Sequence, residues 1–518
     1  MRYIQNRTME IQESRIISDY FGMVYAPFGN FTIDNRVRIT SHGTNLVETN
    51  GEILTINPET NSWAFLNRHE ASIFCLLDGI TFETLSKLWP SKARTQPSEF
   101  LEKLFRRGLI QINGYSAIDR SIFEHSQNLL LEKHLVELLV TEKCNLACIY
   151  CLAGSSIKNP SMTEEIAIRA IDSAFMMSEA HSITFEFSGG EPFLQFELLN
   201  KLTEYIRSHS GGSCRDVYIT VQTNATLLTQ KHIEWLKNNK IYIGISLDGS
   251  ADTQNFSRPM VGGCESYERT MRGLKLLKKN GVPFGVLIVL SRANVAKVRD
   301  LIDFLVKNEI NSFKINPIAY LGTGKINWDY IGITTEEIIK FFKEFASIIV
   351  ADGSLLLEDN LASMLWRLTS KLKNTRCIGS HCGAGITFQA INPKGDIYPC
   401  GRATQISDVK IGNIFDGFNN LSAPGINNKN IREISDRVTS GIVGCSNCYY
   451  RNLCQAGCPV LALEKYGTIQ APSPECNFFR EMYPFLMKWL CFDYHAFRVL
   501  NTAGYFGKGA ELVCIDFI

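Results

Sequence analysis

Cys144, Cys148 and Cys151, in the run CNLACIYC, constrain this chain more than any other feature. Three thiolates at this spacing can hold three corners of a 4Fe–4S cube, which leaves the fourth iron without a protein ligand. An iron open in that way can bind and cleave a small molecule, whereas a fully ligated cluster mostly carries electrons. The chain has sixteen cysteines in 518 residues, many for a cytosolic protein. In a reducing compartment they are better suited to binding metal than to forming disulfides. They also cluster: three lie at 144–151 and eight between 377 and 476. Cys75, Cys214, Cys264, Cys491 and Cys514 stand apart and read as small core residues.

Length and charge narrow the rest. A chain of 518 residues implies two to four domains. With 45% hydrophobic and 20% charged residues and a net charge of +1, it is globular, with no basic excess for nucleic acid or an anionic membrane. The N-terminal MRYIQNRTMEIQE lacks the apolar core of a secretory signal. No apolar run is long enough to span a bilayer, so a cytoplasmic location is expected.

From residue 134 the pattern becomes strand, loop, helix, repeatedly. HLVELLVT, ITFEF, VYITVQ, IYIGISL, FGVLIVL and SFKINPI suit buried parallel strands. Between them, MTEEIAIRAIDSAFMM (preceded by Ser161), QKHIEWLKNN and YERTMRGLKLLKKNG have helical periodicity, the last capped at Gly281. Six such units predict an α/β fold, a partial (β/α)6 TIM-type barrel over 134–365. The motifs fall at strand ends, where such barrels collect their chemistry. The cysteine run follows the first strand and SGGEP, Ser188 to Pro192, the second. Thr223 and Asn224 end the third, and Ser246, Leu247, Asp248 and Gly249 end the fourth. Taken alone, Gly189–Gly190 is any tight turn, Asp248–Gly249 a common hairpin signal and Tyr150 a core residue.

Together, in this order and spacing, the cysteine run with Tyr150 before its last cysteine and the GGEP motif resemble the radical S-adenosylmethionine (radical SAM) superfamily. The resemblance implies that the open iron chelates the amino and carboxylate groups of SAM. Gly189, Gly190 and Glu191 would bind the amino group, with glycine letting the backbone approach closely. Asn224, Ser246 and Asp248 resemble the residues near the ribose and sulfonium.

A second cysteine field runs from CGAGITFQAINPKGDIYPC, Cys382 to Cys400, through CSNCYYRNLCQAGC to Cys476. Paired CxxC motifs also suit a zinc ribbon. Order and spacing instead resemble the SPASM domain, the auxiliary-cluster module of peptide-modifying radical SAM enzymes, over 366–480. The resemblance implies that Cys382, Cys400 and Cys458 hold a first auxiliary 4Fe–4S cluster. Cys377 is a possible fourth ligand, and an open site there would bind substrate directly. Cys445, Cys448, Cys454 and Cys476 would hold a second cluster, giving three in all. In the sulfatase-maturing branch an aspartate base follows the cysteine equivalent to Cys400. Here Gly401 and Arg402 follow it, which counts against formylglycine formation.

Residues 20–115 read as a separate module. NLVETNGEILTI gives two strands turning at Asn50–Gly51, and NSWAFL a third. Asn67 with Glu70 marks a helix start. RHEASIFCLLDG, TFETLSKLW and PSEFLEKLFRRG give three helices ending at Gly79, after Trp89 and at Gly108, and LIQING returns as a strand. This is a winged-helix order, and many winged helices bind DNA. Its LLDG and RRGL turns resemble the PqqD-like RiPP recognition element, which captures a precursor's leader as an added strand. Residues 116–133 form a linker. The aromatic-rich tail, 481–518, is expected to pack on the SPASM region.

The resemblance thus implies a peptide maturase that uses SAM and three 4Fe–4S clusters, with flavodoxin or ferredoxin as reductant and neither nucleic acid nor membrane as partner. A 5′-deoxyadenosyl radical would take hydrogen from a precursor peptide bound through its leader. The expected product is an oxidative intrapeptide cross-link, a thioether first and a carbon–carbon or ether link second. Oxidation or epimerisation of one residue, with Cys214 or Cys264 as hydrogen donor, is the alternative within the same chemistry. A non-catalytic peptide-binding or electron-transfer protein and a zinc-stabilised DNA-binding regulator are the alternatives outside it. No side chain is singled out as a catalytic acid or base.

Overall fold

The structure, a computed structural model, describes residues 33–506 apart from 42, 50, 91–95, 118–132, 179, 211–214, 370–381, 417–428 and 436. Cys377, Cys214, Cys514, Asn50 and most of the 116–133 linker lie outside the described residues.

The six apolar runs fold as β6 (Lys133–Thr141), β7 (Ser182–Gly189), β8 (Asp216–Thr223), β9 (Tyr242–Ser246), β10 (Phe284–Leu290) and β11 (Ser312–Pro317). They lie side by side in chain order and all pair in parallel. Strand alternation gives the sheet two unlike faces. Val136, Leu138 and Val140 of β6 are buried against helical residues such as Ala167 and Ile171. Each such aliphatic side chain contributes roughly 1.5–3 kcal/mol on burial. The alternate positions carry Glu137 on β6, Glu186 and Ser188 on β7, Thr220 and Gln222 on β8, and Ser246 on β9. The face away from the helices is therefore polar.

Helix starts follow their caps. The first barrel helix, Glu164–Met177, is capped by Thr163 Oγ1, which accepts from Ile166 N at 3.3 Å. Ser161 lies two residues too early to cap it, and its hydroxyl instead pairs with Thr141 Oγ1 at 2.8 Å.

The sheet is wider than six strands. β12 (Leu357–Glu358) adds in parallel beyond β11. On the other edge β13 (Phe388–Ile391), from the cysteine-rich region, pairs in parallel with β6, aligning Phe388 with Leu135 and Ala390 with Glu137. β14 (Asp396–Tyr398) and β15 (Gly412–Asn413) continue it antiparallel. The full order is β12-β11-β10-β9-β8-β7-β6-β13-β14-β15.

In the N-terminal module, β2 (Asn45–Thr49), β3 (Glu52–Asn57) and β4 (Ser62–Leu66) form an antiparallel meander. Asn67 and Glu70 form a complete capping box on the helix Arg68–Phe74. That helix stops at Phe74, short of the expected Gly79, because Leu77 turns inward and the chain reverses through Gly79 at φ +78°. Helices Phe82–Leu88 and Pro97–Arg106 follow. The returning strand β5 (Gln111–Ile112) pairs with β1 (Ile39–Thr40), not with the meander. β4 is buried on both faces. Ala64 and Leu66 join the module's own helical core, while Trp63 and Phe65 join the main core. Trp63 Nε1 donates to Leu368 O at 3.2 Å, which ties the module to the end of the barrel.

The tail departs from expectation. Helices Cys476–Phe492 and Tyr494–Thr502 chiefly cover the barrel helix Thr335–Ala351 rather than the cysteine-rich region. Phe478 packs edge-on against Phe342 at 5.2 Å, and Lys343 pairs with Glu481 at 2.9 Å. Tyr505 donates to Leu356 O and accepts from Glu358 N, at 2.9 and 3.1 Å. Tyr483, which donates to Leu453 O at 2.9 Å, is a link back to the cysteine-rich region. Among the described residues no helix is long and apolar enough to cross a membrane.

Candidate cofactor and cluster sites

The cysteine loop leaves β6 and is held from three sides. Ala147 N and Ile149 N donate to Pro259 O and Ser257 O, at 2.8 and 3.0 Å. Gly190 N and Glu191 N donate to Thr141 O and Lys143 O, at 2.7 and 2.8 Å. Thr323 N and Asn327 Nδ2 donate to Cys151 O and Ile149 O, at 3.0 and 2.6 Å. A Cβ at Gly189 would stand 2.0 Å from Thr141 O, and one at Gly190 would stand 2.1 Å from Lys143 O. Both glycines are thus required by close packing against the cysteine loop itself, a different reason from the ligand approach that the motif suggests.

Glu191 is fully buried, and its carboxylate is engaged by the protein. Oε1 accepts from Thr223 Oγ1 at 2.7 Å and from Phe193 N at 3.2 Å, while Oε2 accepts from Asn224 N at 2.9 Å. Burial raises its pKa to about 7 against these bonds. The side chain ties SGGEP to the end of β8, leaving the Gly189–Gly190 backbone as the part nearer the cysteine loop. Asn224 Nδ2 donates to Asn145 Oδ1 at 2.9 Å and lies 4.0 Å from Cys144 Sγ. Ser246 Oγ accepts from Gln222 Nε2 at 3.0 Å.

Asp248 is also fully buried and is saturated by protein groups. It receives the Tyr150 hydroxyl, Val289 N at 2.9 Å and Arg258 Nη2 at 3.1 Å, and it forms an ion pair with Arg258, whose Nε lies 3.1 Å from Oδ2. The Arg258 guanidinium also lies 5.3 Å from the centre of the Tyr150 ring. Asp248 is therefore a structural hub under the cysteine loop. Arg258 is a member that sequence reasoning missed, because no local pattern marks it.

Burial, with mutual repulsion among the three cysteines, pushes the Cys144 and Cys148 thiols up to about 12. Leu146 N and Ser155 N point at Cys144 Sγ and Cys151 Sγ, each at 3.4 Å. Amides aimed at sulfur, in a pocket that disfavours free thiolates, fit a set whose negative charge is balanced by bound metal. Among the described residues no three Cys, His, Asp or Glu side chains group as ligands of a single ion. Ligands on different corners of a cube stand farther apart than that.

In the second field, Cys382, Cys400 and Cys458 belong to one packed cluster with Leu139 of β6. Cys445, Cys448, Cys454 and Cys476 lie within electrostatic reach of one another. Burial first, then their mutual repulsion, raises Cys445 to about 11 and Cys454 to about 12. Between the two groups sits Arg437, which the sequence reading also missed. It donates to five carbonyls: Ile469 at 2.6 Å, Gln455 at 3.2 Å, Gly457 at 3.0 Å, Ala456 at 3.0 Å and Ala471 at 2.7 Å. Gln455, Ala456 and Gly457, the whole link between Cys454 and Cys458, are consecutively left-handed, at φ 54°, 60° and 68°. Of the isolated cysteines, Cys491 is buried as expected, but Cys75 and Cys264 are exposed and are not core residues.

Residues 138–305 match the family model of the radical SAM superfamily. An uncharacterized protein of Methanocaldococcus jannaschii is 33% identical over 184 residues, 36% of this chain, and the chain spans only 62% of that relative's length. A cysteine-type anaerobic sulfatase-maturating enzyme of Clostridium perfringens is 25% identical over 376 residues, covering 70% of this chain and 95% of that protein. The solved structure of native anSMEcpe with bound AdoMet and Cp18Cys peptide superposes with a TM-score of 0.60 at 22% identity, over 71% of this chain and 98% of that one. At that identity the superposition establishes the fold.

Proposed function

We propose that this chain, whose residues 138–305 match the radical SAM superfamily, is a radical SAM enzyme that installs an oxidative intrapeptide cross-link in a leader-bearing ribosomal precursor peptide. A thioether is the first form and a carbon–carbon or ether link the second. One observation carries the reading: the two cysteine fields share a sheet. β6 leads into the Cys144 loop, and β13 and β14, added at its edge, lead to Cys400. A substrate on the polar face between them would have a hydrogen-abstracting centre on one side and an electron acceptor on the other. Gly401, in place of an aspartate, argues against sulfatase maturation as the activity.

Cys144, Cys148 and Cys151 would hold the SAM-binding cluster. Cys382, Cys400 and Cys458, with Cys377 as a possible fourth ligand, would hold one auxiliary cluster. Cys445, Cys448, Cys454 and Cys476 would hold the other. When bound, cluster and SAM together supply a carbon-centred radical able to take hydrogen from an unactivated carbon. The protein's part is placement. Glu191 and the Asp248–Arg258–Tyr150 group fix the cysteine loop, the Gly189–Gly190 backbone would bind the methionine amino group, and Asn224 and Ser246 would help to hold the ribose side. In the N-terminal module β2 ends the meander with its outer edge unpaired among the described residues, which supports capture of a leader as an added strand. Such capture raises the local concentration of the tethered core peptide. The electron enters from a flavodoxin- or ferredoxin-type reductant.

The test is the intact mass of a precursor peptide, taken from a short reading frame beside the gene and co-expressed with the chain. Loss of two hydrogens per event, absent with Cys144→Ala, is expected. An unchanged mass with deuterium taken up from heavy water would replace cross-linking by epimerisation.

A further inference from the structure

Glu137 and Glu186 stand opposite each other, in register on the adjacent strands β6 and β7, and both point to the polar face. The next register partner is Thr220 on β8. Ser188 Oγ donates to Glu137 Oε1 at 2.6 Å, and Thr220 Oγ1 donates to Glu186 Oε2 at 3.3 Å. No lysine or arginine among the described residues pairs with either carboxylate. On the far side the chain comes so close at Gly401 that a Cβ there would lie 2.2 Å from Glu137 Oε2. The absent side chain leaves that space to the carboxylate. Glu137 is thereby held between Ser188, which opens SGGEP, and the residue that follows Cys400.

Two carboxyls brought together without a cation are costly as purely structural groups, since like charges this close cannot both ionise freely. Burial, and for Glu186 the neighbouring Glu137, raises both, Glu186 to about 8. Neighbouring carboxyls with no cation beside them, both raised by burial, are suited to taking up or giving a proton.

We propose that Glu137 and Glu186 form the proton acceptor of the oxidative step on the peptide. This rests on the radical peptide-modifying reading above. The balance is that the peptide loses two hydrogens. One leaves carbon as an atom in the radical step. The new bond then forms between that carbon and the partner side chain, whose X–H bond breaks. The proton of X–H passes to the carboxyl pair, and the remaining electron passes to an oxidised iron–sulfur centre.

Two readouts on Glu137→Gln and Glu186→Gln test this. The first is cross-linked peptide per 5′-deoxyadenosine formed, which should fall about 100-fold in either variant, with partial recovery in Glu137→Asp. The second needs no cofactor: infrared difference spectra of carbon-13 glutamate-labelled protein at pH 7, wild type minus variant, should show a protonated carboxyl lost in Glu186→Gln. Should Glu137→Gln not fold, Glu186→Gln carries both readouts. A product ratio within about twofold of wild type, or no carboxyl band in the difference, overturns the proposal. A raised peptide KM at a wild-type product ratio also overturns it, by making the pair a binding site for a cationic side chain. Wild-type protein that forms no 5′-deoxyadenosine overturns the radical reading and this step with it, while the infrared result still reports whether Glu186 is protonated.

Discussion

Arg437 donates to the carbonyl of Gly457 at 3.0 Å, one of three such bonds to the left-handed link between Cys454 and Cys458. For each of the two non-glycine residues, Gln455 and Ala456, that conformation costs roughly 1–2 kcal/mol. Gly457 N, donating to Cys454 O at 2.9 Å, and Ser473 N, donating to Ala456 O at 2.8 Å, offset part of this. Arg437 adds three bonds from outside, and its flat fork of donors is what a lysine cannot reproduce. Arg437→Met should lower stability by about 3 kcal/mol. It should also release iron from the C-terminal cysteines before the Cys144 loop loses any. Denaturant titration with iron-to-protein ratios checks both, and Arg437→Lys should behave like the methionine variant.

Asp248 and Arg258 are both buried, so removing one strands the other. Arg258→Met should cost about 3–5 kcal/mol. Tyr150→Phe, which removes one neutral donor to the same carboxylate, should cost about 1 kcal/mol. The order of these two effects, read from chemical denaturation midpoints, is the check; a larger effect for Tyr150→Phe would assign the hub to the phenol instead.

His134, near the start of β6, is buried, and its Nε2 has no hydrogen-bond partner among the described residues. Burial, with the nearby Arg215 charge, pushes its pKa down from 6.5 to about 4. The unfolded chain takes up this proton at about 6.5 and the folded chain only near 4. Stability from this group is therefore complete above about 6.5 and is lost as pH falls towards 4, by about 3 kcal/mol in all. His134→Gln should flatten the acid limb of the stability profile by that amount, measured by urea unfolding at pH 7, 5.5 and 4.5.

Iron removal should separate the two cysteine fields. Cys144→Ala should abolish SAM cleavage while leaving the C-terminal iron in place. Cys454→Ala should retain SAM cleavage while product formation falls at least about tenfold. Iron content and 5′-deoxyadenosine yield measured on the same samples distinguish the two.

The barrel strands are legible in the sequence because each is a short apolar run between helix caps, and runs such as FGVLIVL admit little else. The cysteine run and SGGEP are legible for a similar reason: each is contiguous. What stays hidden is pairing at a distance. No local pattern tells Phe388 to align with Leu135, Arg437 to reach into the link after Cys454, or Glu137 to meet Glu186. The glycines of SGGEP are visible, but the obstacle that requires them, the backbone at Thr141 and Lys143, is supplied by the fold.

The addition of β13 beside β6 sets an order of events during synthesis. The first barrel strand leaves the ribosome long before Phe388–Ile391, so one edge of β6 waits unpaired while the other five barrel strands are made. Such an edge is where a nascent chain pairs wrongly or aggregates. Completion of the sheet depends on a contact of very large sequence separation, which slows closure. The same segment leads into Cys400, so the edge is sealed by the part of the chain that carries the second cysteine field, and a chain interrupted before it would keep that edge open.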